Sequence, residues 1–464
     1  MRYHHLSLLS VLVAAGPLAD LVTPLPPPWH DMRVKHTWNS VPANWESLGP
    51  PPASATIDLH VALNSQHENA LIDALHEVSD PKHPKHVLSN TLPLTTCSRV
   101  PLLRCRYGAH LSKEEVAKLV APHPDTLELV NSWLEHHGVP SSSISTTHGG
   151  SWLTVTGVPV SQANKLLDAS YQLYRQAGTN DTAILRTVGY GLPTVLHTHV
   201  QTVAPTTYFA STRTLPQTSR RRSVGTAPAL ESVESRELVT VLSSRDEQGN
   251  EFTTPSSLHW LYWTFAYTPA ATDRNELGIV GYLNQYPNQT DLTAFMNEQL
   301  PDAITATYTV EKVNDGEYDQ RHPGQEANIN VQYIQGMAYP TPLVYYSTGR
   351  EADWTPPSNE PAEGDMYLEW FKYVLNKPKI PQTISTSYGT QEKVLPVEYT
   401  AAVCKLFAQL GTRGVSVVYA SGDHGVGLGD CKTKDGGVQF IPTFPASCTC
   451  GVLSLVANST PAQA

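Results

Sequence analysis

Four short apolar runs in the second half of the chain constrain its fold more than any other feature. The runs are Leu277–Leu283, Leu343–Ser347, Thr383–Ser387 and Val415–Ala420. Three stretches with helical spacing lie between them: Glu326–Ile334, Met366–Leu375 and Val397–Leu410. Short apolar strands that alternate with helices indicate a parallel sheet covered on both faces. The pattern therefore predicts an α/β domain.

A smaller module with a mixed pattern precedes this half, over residues 56–205. Alternating apolar and polar residues predict strands at Thr56–Leu63 and from Trp152 to Gly157. Helices are predicted at Glu68–Val78 and after three candidate caps: Ser112 in a capping box with Glu115, Asp125 in a helix that ends at Gly138, and Ser161. The alternation predicts a small α+β domain with an open sheet.

The flanking segments differ in composition from both modules. Residues 1–19 contain an apolar run, Leu6–Ala15, which is too short to span a bilayer and indicates a secretory signal peptide. A buried N-terminal helix is the alternative. Residues 20–55 form a proline-rich leader, and residues 206–253 form a linker in which Arg220–Arg222 marks a processing site or a merely solvated run. No later segment is apolar enough for a membrane, so a secreted, extracellular protein is expected.

Charge and cysteine usage narrow the classes of function. The formal net charge is −11 without a basic tract, which argues against nucleic-acid binding. Two glycosylation sequons, at Asn180 and Asn288, agree with secretion, and a third at Asn458 is weakened by the following Pro461. Six cysteines without zinc-like spacing predict no metal site from sulfur: Cys97, Cys105, Cys404, Cys431, Cys448 and Cys450.

The stretch GQEANINVQY, residues 324–333, places a carboxylate and an amide on one helix face. Glu326 and Asn330 lie four residues apart, which is about one helical turn. A buried glutamate with a partner at this spacing is a candidate general base. The pair therefore marks a candidate catalytic site.

The apolar run Val415–Ala420 ends in a turn with a candidate catalytic carboxyl. Asp423 at its tip could stabilise an oxyanion or bind a cation, and an Asx-type turn is the alternative. Gly422 lets a ligand approach the backbone, and Ser421 belongs to the same candidate binding segment. Functional residues gather at strand ends in α/β sheets, so this turn is a candidate part of the site.

A second strand end supplies backbone groups for an extended peptide. The candidate substrate-binding residues there are Ser387, Tyr388 and Gly389. A strand terminus without a binding role is the alternative.

The ordered segments together resemble the sedolisins, the serine-carboxyl peptidases, and among them the secreted fungal tripeptidyl peptidases. The segments are TPSSLHWLY (254–262), NELGIVGYLNQY (275–286), GQEANINVQY, IPQTISTSYG (380–389), GVSVVYASGDHGVG (414–427) and FIPTFPASC (440–448). The resemblance implies a subtilisin-like, parallel-sheet catalytic domain from residue 254 onward. It also implies that residues 56–205 are a ferredoxin-like α+β pro-domain, which would act as an intramolecular inhibitor.

The resemblance also implies a mechanism and a substrate class. The family uses a serine nucleophile, a glutamate base, an aspartate partner of that base and an oxyanion-hole aspartate. Glu326 matches the base, Asp423 matches the oxyanion residue, and Asn330 stands where the family has aspartate. A secreted zymogen is implied that cleaves peptides at acidic pH and releases tripeptides from free N-termini. The histidines at 83, 86, 197 and 199 are possible pH sensors of the pro-domain, with ordinary surface histidines as the alternative.

Three features depart from the family. Asn330 can orient Glu326 but cannot share a proton with it, although a substitution without functional meaning is the alternative. The family's Gly-Thr-Ser nucleophile motif and the ligands of its C-terminal calcium site are absent, and residues 449–464 look foreign, so the catalytic domain is expected to be incomplete. A catalytically inactive homologue that binds peptides is therefore the alternative function.

The third departure is an insertion at residues 87–106 of the predicted pro-domain. Its length and its first residue, Val87, fit an unspliced short intron, and a real surface loop is the alternative. Cysteines in the family-like segments are Cys404, Cys431 and Cys448, and the resemblance makes Cys404–Cys448 a plausible disulfide.

Overall fold

The computed structural model describes residues 29–82, 108–178, 183–209, 244–245, 251–265, 267–349, 366–420, 422, 436–449 and 452–455. Several predicted features lie outside these residues: the signal peptide, the 87–106 insertion, Arg220–Arg222, the sequons at Asn180 and Asn458, and the histidines His83 and His86. Among the described residues, no helix is long and apolar enough to cross a membrane.

The described part of the first half combines antiparallel strands with helices. The strands are β1 Met32–Thr37, β2 Trp45–Gly49, β3 Thr56–Leu63, β4 Ile144–Thr146, β5 Trp152–Pro159, β6 Gln172–Gln176, β7 Ile184–Arg186, β8 Gly189–Pro193 and β9 Val200–Ala204. The helices are α1 Ala70–Ser79, α2 Lys113–Val120, α3 Pro124–His136 and α4 Val160–Leu166, with short 3-10 turns at Ser141–Ser143 and Thr194–Leu196. The module is therefore a mixture of strands and helices, as predicted, but they follow one another in runs and do not alternate strictly.

An antiparallel four-stranded sheet, in the order β4–β5–β3–β9, is the centre of this half. One face packs on α3 and α4 through an apolar core that includes Leu59, Trp133, Val155 and Leu166, all at most 1% exposed. Smaller sheets, β2–β6–β7 and β1–β8, complete the half.

Two of the three predicted helix caps are wrong, and proline explains both. The capping box at Ser112 is confirmed, because the Ser112 hydroxyl accepts the Glu115 N–H and the Glu115 carboxylate accepts the Ser112 N–H. Asp125 and Ser161 instead lie inside the first turns of α3 and α4. Pro124 is the first residue of α3, and Pro159 directly precedes α4. A proline favours a helix start, because its φ suits the first turn and it lacks the N–H that a cap would otherwise have to satisfy.

The second half is built on parallel strands. After a short pair, β10 Ser244–Arg245 and β11 Glu251–Phe252, its strands are β12 Leu277–Gly281, β13 Thr309–Val313, β14 Leu343–Thr348, β15 Thr383–Thr386, β16 Thr390–Gln391, β17 Ser416–Ala420, β18 Thr443–Phe444 and β19 Val452–Leu455. Its helices are α5 Pro255–Leu261, α6 Gln289–Gln299, α7 Gln325–Ala338, α8 Met366–Asn376 and α9 Val397–Thr412, with 3-10 turns at Pro301–Ala303 and Glu392–Val394.

Six of these strands form one parallel sheet in the order β13–β14–β12–β15–β17–β19. Alternate residues of β12 enter two different cores: Ile279 packs with α7, and Val280 packs with α8 and α9. The prediction of a parallel sheet covered on both faces is therefore confirmed. The strand β19 lies within the predicted foreign segment 449–464, and it pairs with β17 in parallel register.

The two halves share one core. Ala62, Trp152 and Tyr208 of the first half are buried together with residues of α8 and α9. The ring of Tyr208 stacks on that of Tyr399, at a centroid distance of 4.8 Å, and the Lys405 ammonium donates to the Gln201 side-chain oxygen. The first half thus packs closely on the α8–α9 face of the parallel sheet.

The predicted pH-sensing histidines within the described residues bond inside the first half. The His197 ring contacts the Leu192 carbonyl oxygen at 3.2 Å, and the His199 ring contacts the Thr126 hydroxyl at 2.8 Å. The sequon residue Asn288 caps α6, and its amide nitrogen donates to the Gln320 carbonyl oxygen at 2.9 Å.

Candidate active site

The strand order defines where a ligand can bind the parallel sheet. From β12 the chain crosses to β13 and β14 on one side, and it then returns to β15 on the other side of β12. The carboxyl ends of β12 and β15 therefore form a topological switch point, which is where open α/β sheets bind ligands. Helix α7 joins β13 to β14, so its N-terminal end lies at this same edge of the sheet.

Helix α7 brings Glu326 and Asn330 to this edge, and the predicted helix that contains both residues is confirmed. Ala327 and Val331, at 0% and 1% exposure, anchor one side of the helix on Ile279 and Tyr345. Glu326 lies in the first turn and is 9% exposed.

Asn330 contacts the second predicted strand end. The Ser387 hydroxyl donates a hydrogen bond to the Asn330 side-chain oxygen at 2.9 Å, although the two residues are 57 positions apart. This bond ties the helix with the candidate base to the end of β15, where a peptide is predicted to bind. The fold therefore brings two separately predicted parts of the site together.

The residues that follow Ser387 are buried and fixed. Tyr388 is 1% exposed, and its hydroxyl donates to the Tyr282 carbonyl oxygen at 3.1 Å, across the ends of β15 and β12. The two rings meet edge to face at 5.1 Å. Tyr388 thus supports the strand ends from inside the protein, and its buried side chain gives it a packing role that the sequence did not predict.

The predicted turn after β17 lies only partly within the described residues. Gly422 has φ +98°, a left-handed conformation that favours glycine. Ser421 and Asp423, the candidate binding and oxyanion residues, lie outside the described residues. Strand β17 is adjacent to β15, so its carboxyl end points to the same edge of the sheet as Ser387.

The disulfide suggested by the family resemblance is confirmed. Cys404 on α9 and Cys448 are bonded, with a Cα–Cα distance of 5.5 Å. The bond ties helix α9 to the segment after β18.

Comparisons with known proteins place the chain in a family. Residues 104–209 match the Pro-kumamolisin activation domain. A probable tripeptidyl-peptidase SED2 of Trichophyton verrucosum is 31% identical over 441 residues, which cover 93% of this chain and 68% of that protein. The chain belongs to the sedolisin family of peptidases. A tripeptidyl-peptidase SED4 of Arthroderma otae is also 31% identical, over 95% of this chain and 67% of that protein.

A solved sedolisin shows only a weak overall likeness. Pseudomonas sedolisin, complexed with two molecules of pseudo-iodotyrostatin, aligns at a TM-score of 0.33 and 20% identity over 44% of this chain and 52% of that one. A score this low does not establish a common fold. Membership of the sedolisin family therefore rests on the sequence relatives, and the first half contains the activation pro-domain.

Two residues that contact the candidate site were missed from the sequence. Gln285, in the turn after β12, accepts the backbone N–H of Glu326 through its side-chain oxygen at 3.3 Å. Tyr345 on β14 donates from its hydroxyl to the Gln285 carbonyl oxygen at 2.8 Å. Burial raises the pKa of Tyr345 well above its usual value, and the charges of Tyr388 and Glu326 raise it further, so this hydroxyl keeps its proton and donates. The position of Gln285 directly after an apolar strand is the one signal that pointed to it.

The calcium site that the family resemblance implies can be compared with the described residues. They contain no group of three or more His, Cys, Asp or Glu side chains that could hold a metal ion. No residue among them is therefore assigned to the calcium that the family resemblance implies.

Proposed function

We propose that this protein is a secreted, serine-type sedolisin zymogen that releases tripeptides from the free N-termini of peptides at acidic pH. The observation that carries the proposal is the hydrogen bond between Ser387 and Asn330, because it joins the helix with the candidate base to a strand end at the switch point. The relatives with this sequence pattern are named tripeptidyl-peptidases.

The proposed mechanism assigns one role to each site residue. Glu326 accepts the proton of a serine nucleophile, which the family carries in the Gly-Thr-Ser motif that residues 1–464 lack. Asn330 orients Glu326, and Asp423 stabilises the oxyanion. A glutamic acid in water has a pKa of about 4.3, so this residue type can accept a proton at a pH where histidine is already charged. Ser387, Tyr388, Gly389, Ser421 and Gly422 form the proposed rim that binds the peptide backbone.

The proposed fold is subtilisin-like for the second half and ferredoxin-like for the pro-domain. A parallel sheet with helices on both faces supports the first assignment. The elements of the four-stranded sheet and of the helices that pack on it follow in the order β3–α3–β4–β5–α4–β9, and with the sheet order β4–β5–β3–β9 this supports the second assignment. Close packing of the pro-domain on α8 and α9 supports its role as an intramolecular inhibitor. Secretion, glycosylation and calcium binding belong to the proposal through the sequence and the family alone.

Because residues 1–464 lack the Gly-Thr-Ser nucleophile motif, the test uses a protein in which the chain continues into that motif, beside the 464-residue chain. It measures hydrolysis of a fluorogenic tripeptide amide between about pH 3 and pH 7. We expect cleavage at acidic pH with a free N-terminus and none with an acetylated one. Glu326→Gln, which keeps the shape of the side chain, is expected to lower kcat by about 10³-fold or more. Absence of cleavage at every pH, or full activity of Glu326→Gln, would overturn the proposal.

The second candidate function, a peptide-binding homologue without catalysis, is favoured by Asn330. Its side-chain oxygen accepts the Ser387 hydroxyl, and an amide cannot share a proton with Glu326 as a carboxylic acid can. This candidate predicts that the same peptides bind, measured by fluorescence anisotropy, without being cut.

A further inference from the structure

A strained turn delivers one side chain to the first turn of helix α7. Leu283 and Asn284, directly after β12, have φ +61° and +54°. Two successive residues other than glycine in the left-handed region cost about 1–2 kcal/mol each, and such strain persists only where the surroundings hold it. The residue that follows the strained pair is Gln285.

The backbone of Gln285 is held by Tyr345, and its side chain packs next to Gly324. Its backbone carbonyl accepts the Tyr345 hydroxyl at 2.8 Å. Its side chain occupies the space next to Gly324, where a Cβ atom would lie 2.2 Å from the Gln285 side-chain oxygen and 2.9 Å from its Cα. Residue 324 must therefore be glycine for the turn and the helix to approach each other this closely.

The same side chain replaces the missing cap of α7. Gly324 occupies the N-cap position and has no side chain to accept the first N–H groups of the helix. The Gln285 side-chain oxygen accepts the Glu326 N–H at 3.3 Å, and the Gly324 N–H donates to the Tyr286 carbonyl oxygen at 2.8 Å. The turn after β12 thus fixes the position of the first turn of α7, and with it the direction in which the Glu326 side chain points.

We propose that Gln285 is a positioning residue for the Glu326 carboxyl group. The inference rests on the proposed role of Glu326 as base. Gln285 would act indirectly, through Glu326. Its side chain contacts the backbone of Glu326 and thereby fixes the position of the carboxyl group relative to Asn330 and Ser387.

The first experiment measures hydrogen exchange of the backbone in residues 324–333 of the full chain. Gln285→Ala removes the acceptor of the Glu326 N–H, and we expect about fivefold faster exchange there, since a hydrogen bond contributes roughly 1 kcal/mol. Gln285→Glu keeps an acceptor of the same length, and exchange is expected to stay slow. The matched control is Gln382→Ala, because Gln382 also accepts a backbone N–H, that of Glu276 at 2.8 Å, at the opposite end of the sheet.

The second measurement is the pH profile of kcat on the tripeptide amide. Gln285→Ala is expected to lower kcat about tenfold or more with little change in KM. Gln285→Glu should move the acidic limb to higher pH, because a second negative charge makes the Glu326 proton harder to lose. This shift reports how close side chain 285 is to the Glu326 carboxyl group. A lower kcat with little change in KM in Gln285→Ala, restored by Gln285→Glu at a pH above the shifted limb, is the result that a purely structural role would not give.

The outcomes separate this inference from the proposed function. Unchanged exchange at Glu326 in Gln285→Ala, or equal effects of Gln285→Ala and Gln382→Ala on exchange and kcat, would overturn the positioning role. If the parent protein cleaves no peptide but Gln285→Ala still speeds exchange at Glu326 selectively, positioning of Glu326 by Gln285 stands and the peptidase proposal fails.

Discussion

The Ser387 hydroxyl donates a hydrogen bond to the Asn330 side-chain oxygen at 2.9 Å. This bond places the polar end of residue 330 beside the end of strand β15, at the switch point of the sheet. A carboxylate at position 330 could accept the same hydrogen bond, and with a charged acceptor the bond would be stronger. The site is thus compatible with the aspartate that the family resemblance implies.

Replacement of Asn330 by aspartate is expected to raise peptidase activity. Two carboxyl groups one helical turn apart can share a proton, which improves Glu326 as a base at acidic pH. We expect kcat on the tripeptide amide to increase about tenfold or more. Asn131→Asp makes the same charge change at an exposed position on α3 and should leave kcat unchanged. Equal activities of Asn330→Asp and the parent would exclude proton sharing at this position.

Removal of the Ser387 hydroxyl is expected to weaken the contact between α7 and β15. Ser387→Ala should lower the free energy of unfolding by about 1 kcal/mol, as is typical for one partly buried hydrogen bond. A double-mutant cycle with Asn330→Ala, followed by urea unfolding, should give a coupling energy of about 0.5–1.5 kcal/mol. Strict additivity of the two substitutions would show that the hydrogen bond contributes nothing to stability.

Loss of the Cys404–Cys448 disulfide is expected to destabilise the second half. The bond closes a loop with a sequence separation of 44 residues. Closing a loop of this size stabilises a protein by about 2–4 kcal/mol through the unfolded state. The double variant Cys404→Ser/Cys448→Ser should therefore unfold at lower urea concentration than the parent. Reduction by dithiothreitol should destabilise the parent and have a much smaller effect on the double variant.

Acidification is expected to destabilise the pro-domain through His36. Burial lowers the pKa of His36 below its ordinary value of 6.5, and the opposing charge of Glu398 on α9 only partly offsets this. The ring packs against Trp38 at 5.1 Å. Since the pKa is lower in the folded state, the unfolded chain binds the proton more tightly. The stability contributed by neutral His36 is therefore present above its unfolded pKa and is lost as the pH falls toward the folded pKa.

The variant His36→Gln tests this pH dependence. Urea unfolding at about pH 7.5 and about pH 5 brackets the ordinary histidine pKa. The decrease in the free energy of unfolding from about pH 7.5 to about pH 5 should be smaller in His36→Gln than in the parent protein. The same substitution at the exposed His67 is the control and should preserve the parent's pH dependence. If His36→Gln loses as much stability as the parent, His36 is not the group responsible.

The sequence predicted the strands and helices that patterning and spacing define. Apolar runs became β12, β14, β15 and β17, and the spacing of Glu326 and Asn330 put both on α7. The predicted caps at Asp125 and Ser161 are wrong, because neighbouring prolines set the helix starts earlier in the chain. The preference of a residue type for the N-cap position is therefore not enough to locate a helix start. The edge strand β13 was missed because its sequence, TVEKV, alternates over too few residues to stand out.

The sequence by itself determined the two-part organisation, the family and the residues of the candidate base helix, since periodicity and motifs are local properties of the chain. The tertiary structure alone decided which distant residues meet: Ser387 with Asn330, Gln285 with Glu326, and the pro-domain with α8 and α9. These contacts follow from strand order and register, which depend on pairings between segments far apart in the chain. No local pattern encodes such pairings.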